Sequence, residues 1–132
     1  MVSSVLIVDD DQEFLALAAR ILSGFGIAVV ERAPDAATAI RLAMTTRPEG
    51  ALVDVNLPDR DGIDLAYELA ALPWGPAVVV TSSDADAAGA MGLRSGVPSI
   101  PFVPKDKLTN GSLPRHFGVT SDASDPPQRR VP

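Results

Sequence analysis

Apolar residues gather in five short runs along the chain, bounded mostly by charged residues, glycine or proline. A continuous apolar run of this length, closed by such residues, predicts a buried β-strand. The third run matters most, because it leads directly into the carboxylate of Asp54 and is stopped by Pro58 four residues later. The predicted strands cover residues 5–8, 27–31, 51–54, 77–81 and 100–104.

Between these runs the apolar positions follow the helical period. The clearest helix is predicted from Gln12, and Asp11 is expected to cap it, because a carboxylate at that position accepts hydrogen bonds from free backbone N–H groups. Pro34 is expected to begin the second helix, where a proline costs least. Asp61 is expected to cap the third helix, and two more are predicted over residues 82–94 and, weakly, over residues 109–117.

The alternation of five strands with five helices predicts an α/β fold with one parallel sheet. Right-handed crossovers would place helices on both faces, which gives three layers in a doubly wound (βα)5 arrangement. Prolines at positions 98, 101 and 104 cannot donate to a central ladder, so the fifth strand is expected at a sheet edge. Residues 1–117 are interpreted as this domain, and residues 118–132 as a flexible C-terminal tail or linker.

The amino-acid composition excludes several classes of function but does not change the predicted fold. The 132 residues suit one domain. The net charge of −6 argues against nonspecific binding to nucleic acid or to an anionic membrane, because no basic stripe is present to displace counterions. The absence of cysteine excludes disulfides and thiolate metal sites. The first residues do not resemble a signal peptide and the apolar runs are too short to span a membrane, so a cytoplasmic location is expected.

The candidate chemistry lies where the predicted strands end. Asp9 and Asp10 follow the first strand, and Asp54 ends the third. Thr81 ends the fourth strand, and Lys105 follows the fifth. In open parallel sheets, ligands bind beyond the carboxyl ends of the strands, at the topological switch point. These five residues are therefore expected to meet in one cleft.

Three converging carboxylates repel one another unless a cation or protons intervene. Hard oxygen ligands that leave positions open for water suit Mg²⁺, and the backbone carbonyl of Asn56 is a further candidate ligand. The Thr81 hydroxyl and the Lys105 ammonium would complete a clamp for the three equatorial oxygens of a phosphoryl group. Asp54 would then be the in-line nucleophile of a phosphoryl transfer that depends on positioning and charge neutralisation.

Each candidate residue also has a simpler explanation. An acidic turn after a strand commonly caps the next helix, and a strand-end carboxylate such as Asp54 often caps a loop. Thr81 alone would be a strand-end hydroxyl, and Lys105 alone a surface charge. The functional interpretation depends on four chemically complementary groups at the same side of one sheet, a combination that coincidence does not readily produce.

Five short segments stand out together, at residues 6–10, 53–58, 61–62, 79–82 and 102–105. In combination they resemble the receiver domain of two-component response regulators, over residues 3–117. The resemblance implies a flavodoxin-like fold with strand order 2-1-3-4-5, which places the proline-rich fifth strand at an edge. It also implies a stand-alone or isolated receiver that signals through the face formed by the fourth helix, the fifth strand and the fifth helix.

In this family the phosphoryl acceptor is the aspartate that ends the third strand. The resemblance therefore implies that Asp54 accepts a phosphoryl group from the phosphohistidine of a histidine kinase or of a histidine phosphotransfer protein. It also implies that Asp10, Asp54 and the Asn56 carbonyl hold Mg²⁺, with Asp9 acting largely through water. No enzymatic activity is expected beyond this self-phosphotransfer and autodephosphorylation.

The resemblance assigns the remaining candidates to the phosphoryl group and to the switch. Lys105 and Thr81 would bind the phosphoryl oxygens. Phe102 matches the family's switch aromatic, which turns inward when Thr81 moves toward the phosphate. Phosphorylation adds negative charge and strong acceptor oxygens at one spot, and such a local change is read out by biasing a two-state surface element.

Two departures from the family pattern bear on the readout. Lys105 is followed by Asp106, where the family usually has a proline joined by a cis bond. A cis bond between Lys105 and Asp106 would cost about 3 kcal/mol, so a different loop geometry is expected. Asp106 is also placed to pair with Lys105 in competition with the phosphate. Asp59 stands where a small residue is common and is interpreted as a turn residue.

Two other functions stay open. A degenerate receiver would bind its partner without phosphorylation, although every acceptor-site residue is present. A Mg²⁺-dependent phosphohydrolase of the haloacid-dehalogenase type would use the Asp-x-Asp pattern of residues 9–11, but it needs a longer chain and leaves Asp54 unexplained. A flavin site is poorly supported, because the first loop is acidic. The sequence names neither the kinase nor the downstream partner, and a homodimer through the fourth-helix face stays open.

Overall fold

The computed structural model describes residues 3–83, 100–110 and 117. Residues 84–94 of the predicted fourth helix, most of the last predicted helix and the predicted tail lie outside these residues. Ser82, predicted to open the fourth helix, is instead the last residue of a strand. Within these ranges no helix is both long and apolar enough to cross a membrane. The strands are β1 (Ser4–Val8), β2 (Ala28–Ala33), β3 (Gly50–Asp54), β4 (Ala77–Ser82) and β5 (Phe102–Pro104). The helices are α1 (Gln12–Gly24), α2 (Ala36–Thr46), α3 (Gly62–Ala70) and a 3-10 helix over Lys105–Asn110.

All five strands pair in parallel within one sheet, in the order β2-β1-β3-β4-β5. This order confirms the predicted doubly wound α/β fold. β5 lies at an edge, as its prolines predicted, and the N–H of Val80 donates to the carbonyl of Pro101 at 2.9 Å. The register aligns Asp54 with Thr81 on neighbouring strands, so two candidate side chains start from adjacent positions.

Helices cover both faces of the sheet and divide the core into two layers. Alternate residues of a strand point to opposite faces. Within β1, Leu6 and Val8 pack toward α2 and α3, whereas Val5 and Ile7 pack toward α1. Phe117 is buried in the layer that faces α1. Burial on both faces explains why these strands are continuous apolar runs rather than alternating ones.

Acidic caps fix where the first and third helices begin. The Asp11 carboxylate accepts hydrogen bonds from the N–H groups of Glu13 at 3.0 Å and Phe14 at 3.4 Å. The Asp61 carboxylate accepts one from the N–H of Ile63 at 2.8 Å. Each bond satisfies a donor that helix geometry leaves without an intrahelical partner. Both predicted caps are therefore confirmed.

The second helix begins two residues later than the sequence predicts. α2 starts at Ala36 rather than at Pro34, because the Asp35 carboxylate accepts a hydrogen bond from the N–H of Thr38 at 2.8 Å and so makes residue 35 the cap. The proline is left in the connection after β2. At its other end the helix closes at Arg47, which adopts a left-handed conformation with φ 47°.

The segments that lead into the strands lie at one edge of the sheet, here called the amino rim (residues 3, 47–49 and 74). Hydrogen bonds connect them there. The backbone N–H and the hydroxyl of Ser3 donate to Oε1 of Glu49 at 2.8 and 3.0 Å. The indole Nε1 of Trp74 donates to the carbonyl of Pro48 at 2.8 Å, and the Arg47 guanidinium lies 4.2 Å from the centre of that ring. These contacts join the segments that lead into β1, β3 and β4.

Candidate functional site

The five predicted strand-end residues meet at the opposite rim, here called the carboxyl rim (Asp9, Asp10, Asp54, Thr81 and Lys105). Asp54 is the last residue of β3, and Asp9 is the first residue after β1. Thr81 lies beside Asp54 on β4, and Lys105 directly follows β5. The parallel sheet thus brings together chemically different side chains from four strands.

Three carboxylates form a compact cluster at this rim. One oxygen from each of Asp9, Asp10 and Asp54 lies within 4.8 Å of the other two. Asp9 and Asp54 are buried, at 0% and 4% exposed, whereas Asp10 is exposed. This set offers hard oxygen ligands with one side open to water. It therefore fits a small hard cation such as Mg²⁺, which keeps several waters when it binds to proteins.

The protein compensates the charge of the buried carboxylates only in part. Burial, and then the charge of Asp9, raises the pKa of Asp54 to about 6 against the opposing effect of Lys105. Burial also raises the pKa of Asp9, although Lys105 and the N–H of Asp11 favour its charged form. A divalent cation in the cluster would relieve this cost, because an opposite charge nearby favours an ionised carboxylate.

Lys105 is held on the Asp9 side of the rim. Its Nζ lies 2.8 Å from Oδ2 of Asp9 and 3.9 Å from Oδ1 of Asp54, with 21% of its side chain exposed. The contact with Asp9 is an ion pair between an ammonium and a buried carboxylate. Asp106, which was a candidate competitor for this ammonium, is exposed. The ammonium pairs with strand-end carboxylates instead.

The hydroxyl of Thr81 is buried and has no hydrogen-bond partner among the residues that the structure describes. Thr81 itself is 0% exposed. A buried polar group in this state costs about 1–3 kcal/mol. Because Thr81 is paired with Asp54 in the sheet register, an oxygen-rich group on Asp54 would lie next to this buried hydroxyl.

Phe102 lies on β5, opposite Val80 on β4. Its side chain is partly exposed and packs against the core layer that faces α2 and α3. Its role as switch aromatic stays a prediction. Beyond β5 the 3-10 helix begins at Lys105, and the described residues contain no cis peptide bond, as the presence of Asp106 led us to expect.

The loop after β3 closes on itself at Gly62. The Gly62 N–H donates to the carbonyl of Val55 at 2.9 Å, and Asn56 and Asp61 form a β-bridge. A Cβ at position 62 would overlap the backbone carbonyl of Asp54, so this close approach requires glycine. The loop places Asn56 directly beyond the third strand, and the role of its carbonyl as a metal ligand stays a prediction.

Asp59 has a structural role that the sequence did not reveal. Its two carboxylate oxygens accept hydrogen bonds from the N–H groups of Ala36 at 2.9 Å and Ala37 at 3.0 Å, in the first turn of α2. These bonds lower the pKa of Asp59. The predicted turn residue therefore ties the loop after β3 to the amino end of α2. The available signal was an acid at a position where the family commonly has a small residue.

The strand order and the chemistry of the carboxyl rim together define a receiver domain. The family model described as the response regulator receiver domain matches residues 5–105. The chain belongs to this family, which confirms the resemblance of its strand-end segments and places it in two-component signalling.

Two relatives and one solved structure illustrate the similarity. The chain is 34% identical over 127 residues to the transcriptional regulatory protein PrrA of Mycobacterium leprae, which covers 91% of this chain and 53% of PrrA. It is 37% identical over 78 residues to the transcriptional regulatory protein PdtaR of Mycobacterium tuberculosis, which covers 59% of this chain and 38% of PdtaR. The signal receiver domain of NarL from Mycobacterium tuberculosis superposes with a TM-score of 0.70 at 27% identity, over 88% of this chain and 97% of that one. The chain thus spans about half the length of PrrA and less of PdtaR.

Proposed function

We propose that this receiver domain is a signalling switch that accepts a phosphoryl group on Asp54. Receiver domains interact with histidine kinases or phosphotransfer proteins, and the donor is inferred to be the phosphohistidine of one of these. The supporting observation is the setting of Asp54, a buried carboxylate at the end of β3. The Lys105 ammonium lies 3.9 Å away, and the Thr81 hydroxyl, unpartnered within the described residues, lies on the adjacent strand.

The transfer requires Asp54 as a carboxylate, because a protonated oxygen is a poor nucleophile. With a pKa of about 6, this side chain is mostly ionised at neutral pH. One of its oxygens forms a bond to phosphorus while the bond between phosphorus and the donor histidine breaks. The imidazole leaves with that electron pair and takes up a proton. The product is an acyl phosphate on Asp54.

The acidic cluster is proposed to hold Mg²⁺. Asp10, Asp54 and the Asn56 carbonyl would be the direct ligands, and Asp9 would act largely through water. When bound, the cation neutralises charge on the phosphoryl oxygens. Binding of the cation would be favourable because the ammonium of Lys105 offsets only part of the charge of the three carboxylates.

Lys105 and Thr81 are proposed to bind the phosphoryl oxygens. Lys105 would exchange its contact with Asp9 for one with the phosphoryl group. That movement is short for a flexible lysine, since Nζ is already 3.9 Å from Asp54. Thr81 would donate its buried hydroxyl, and Phe102 would follow it inward. The face that reads this change is proposed to be the fourth helix, β5 and the fifth helix.

The proposed function of this domain is that of a signalling module rather than of an enzyme that acts on other substrates. Receiver domains are generally non-enzymatic, and phosphotransfer to Asp54 with later hydrolysis is the chemistry proposed here. A cytoplasmic location and no direct binding of nucleic acid or membrane by these residues are proposed from the sequence, whose net charge is −6. The division into a domain over residues 1–117 and a flexible tail or linker over residues 118–132 also stays a prediction.

Intact-mass spectrometry tests the proposal directly. The chain is incubated with acetyl phosphate and Mg²⁺ beside an Asp54→Asn variant, which preserves the shape of the side chain. A single phosphoryl adduct that disappears in the variant and on chelation of the metal is the expected result. A folded wild-type chain that forms no adduct would refute the acceptor role and would favour a degenerate receiver that binds its partner without phosphorylation.

A further inference from the structure

The ring of Phe14, in the first turn of α1, lies against the ammonium of Lys105. The Nζ atom is 4.4 Å from the centre of the ring, which is within the range of a cation–π interaction. The ring is 7% exposed and otherwise packs in the core layer that faces α1. The ammonium therefore has two attractive contacts on this side, the Asp9 carboxylate and an aromatic face.

The start of α1 places this ring next to the carboxyl rim. The Phe14 N–H donates to Oδ1 of Asp11 at 3.4 Å, which fixes the first helical turn directly after Asp9 and Asp10. Since Asp9 comes from the end of β1 and Phe14 from the turn that follows, one short segment supplies both contacts of an ammonium that arrives from β5.

Lys105 needs such support because its side chain is long and 21% exposed. A lysine ammonium is strongly hydrated and sits on a flexible four-carbon stem. An ion pair with Asp9 alone would leave many conformations in which the amine points into water. A ring face against the ammonium favours those conformations in which it stays near both Asp9 and Asp54.

We propose that Phe14 is a positioning residue for Lys105, a role that rests on the proposed phosphoryl acceptance by Asp54. The ring keeps the ammonium within the carboxyl rim before the phosphoryl group arrives, so that Lys105 moves only from Asp9 to a group bonded to Asp54. The π face, rather than the apolar volume, carries this role. Leucine at position 14 would fill most of the space and lose the contact, whereas tyrosine would keep the ring.

The lysine content of the chain makes the contact directly measurable. Lys105 and Lys107 are the only two lysines in the sequence, so NMR of ¹³C-labelled lysine gives two sets of ε-methylene signals. Lys107 is exposed and serves as the internal reference. We expect the ring current to shift the Lys105 ε protons upfield in the wild type and in Phe14→Tyr. The shift should be lost in Phe14→Leu. No phosphoryl donor is needed for this readout.

The second readout is the rate at which acetyl phosphate and Mg²⁺ form the Asp54 adduct. Phe14→Leu is expected to slow this rate about fivefold, the factor equivalent to a cation–π contact of about 1 kcal/mol. Phe14→Tyr should react at close to the wild-type rate. Circular dichroism at the assay temperature verifies that both variants are folded, and Phe14→Met replaces the leucine variant if that one unfolds.

The outcomes separate this inference from the proposed function. Unshifted Lys105 protons in the wild type would overturn the contact itself. A leucine variant that loses the shift but keeps the wild-type rate would overturn the positioning role. A tyrosine variant as slow as the leucine variant would mean that packing, not the ring face, is required. A wild-type chain that forms no adduct would refute the proposed function and the positioning role together, while the lysine shift would still decide whether the contact exists.

Discussion

The two rims of the same sheet differ in how far their polar groups are hydrogen-bonded and how deeply they are buried. At the amino rim, the exposed Glu49 carboxylate accepts two hydrogen bonds from Ser3. At the carboxyl rim, Asp9 and Asp54 are buried close together, and the Thr81 hydroxyl lacks a hydrogen-bond partner among the described residues. One rim is satisfied as it stands. At the other rim, the described residues compensate the close carboxylates and the buried hydroxyl only in part.

The polar groups of the two rims also differ in what they contribute to the free energy of folding. Buried carboxylates of like charge and an unsatisfied buried hydroxyl each lower stability. The pKa directions follow the same division: burial raises the pKa of Asp54, whereas hydrogen bonds from Ser3 lower the pKa of Glu49. Parallel strands place all their carboxyl ends on one side, so the amino rim and the carboxyl rim are separated by the length of a strand.

Replacing Asp54 by asparagine should change the contrast most. In metal-free protein at about pH 8, we expect Asp54→Asn to raise the free energy of unfolding by up to about 3 kcal/mol, which corresponds to a pKa raised from 3.8 to about 6. Between these two pKa values the folded state holds a proton that the unfolded chain has lost, so wild-type stability should fall as pH rises from about 4 to about 6. The part of this fall that Asp54 causes should be absent from the variant. Urea denaturation in EDTA across this range measures both effects. A variant no more stable than the wild type at about pH 8 would contradict the prediction.

Overpacking the loop behind Asp54 should have the next largest effect. A Cβ at position 62 meets the backbone of Asp54 and Val55, which cannot move without disturbing the end of β3. Gly62→Ala is therefore expected to lower the free energy of unfolding by about 1–3 kcal/mol. Gly24→Ala is the matched control, because a Cβ there meets nothing within 4 Å. Thermal unfolding compares the two variants, and equal Tm values would refute the close packing at this rim.

Deleting one hydroxyl from each rim should change stability in opposite directions. Thr81→Val removes a buried hydroxyl that lacks a partner within the described residues and keeps the branched shape, so we expect a gain of about 1 kcal/mol. Ser3→Ala removes a hydroxyl that donates to Glu49, so we expect a small loss. Chemical denaturation at neutral pH measures both. A loss of stability in Thr81→Val would mean that its hydroxyl has a partner in solution.

Glu49→Gln should have the smallest effect, with a pH dependence opposite to that of Asp54. The folded-state pKa of Glu49 is lowered by the hydrogen bonds from Ser3, so its contribution is present above the ordinary value of 4.5 and is lost as pH falls through the folded-state pKa. Glu49→Gln should therefore flatten the acid side of the stability curve and leave the Asp54 window unchanged. Loss of the Asp54 window in this variant would show that the two rims are coupled.

The fold and the composition of the carboxyl rim could be predicted because both depend on local patterns. Each buried strand is a continuous apolar run, and in a parallel sheet the residues that end such runs meet on one side. The edge position of β5 followed from the missing N–H groups of its prolines, and the structure confirms it. The caps at Asp11 and Asp61 likewise depend only on neighbours within three residues along the chain.

The details that escaped prediction depend on tertiary distance. The Asp59 carboxylate accepts hydrogen bonds from N–H groups 22 and 23 residues earlier in the chain, and no local pattern encodes the separation of that loop from α2. Lys105 pairs with the buried Asp9 and not with the exposed Asp106, and the fold of the distant β1 end decides this. α2 begins two residues later than Pro34 predicts, because the Asp35 carboxylate caps its first turn through a hydrogen bond from the N–H of Thr38.

The hydrogen bonds between Asp59 and α2 make two backbone amides reporters of motion in the loop after β3. The amide hydrogens of Ala36 and Ala37 are covered by the Asp59 carboxylate, so each exchanges with deuterium only while that carboxylate is detached. The same loop begins at the carbonyl of Asp54, and α2 packs beside β2, at the end of the sheet farthest from β5. Any change that holds this loop more firmly at Asp54 is therefore expected to slow hydrogen exchange at Ala36 and Ala37, beside the strand farthest from β5.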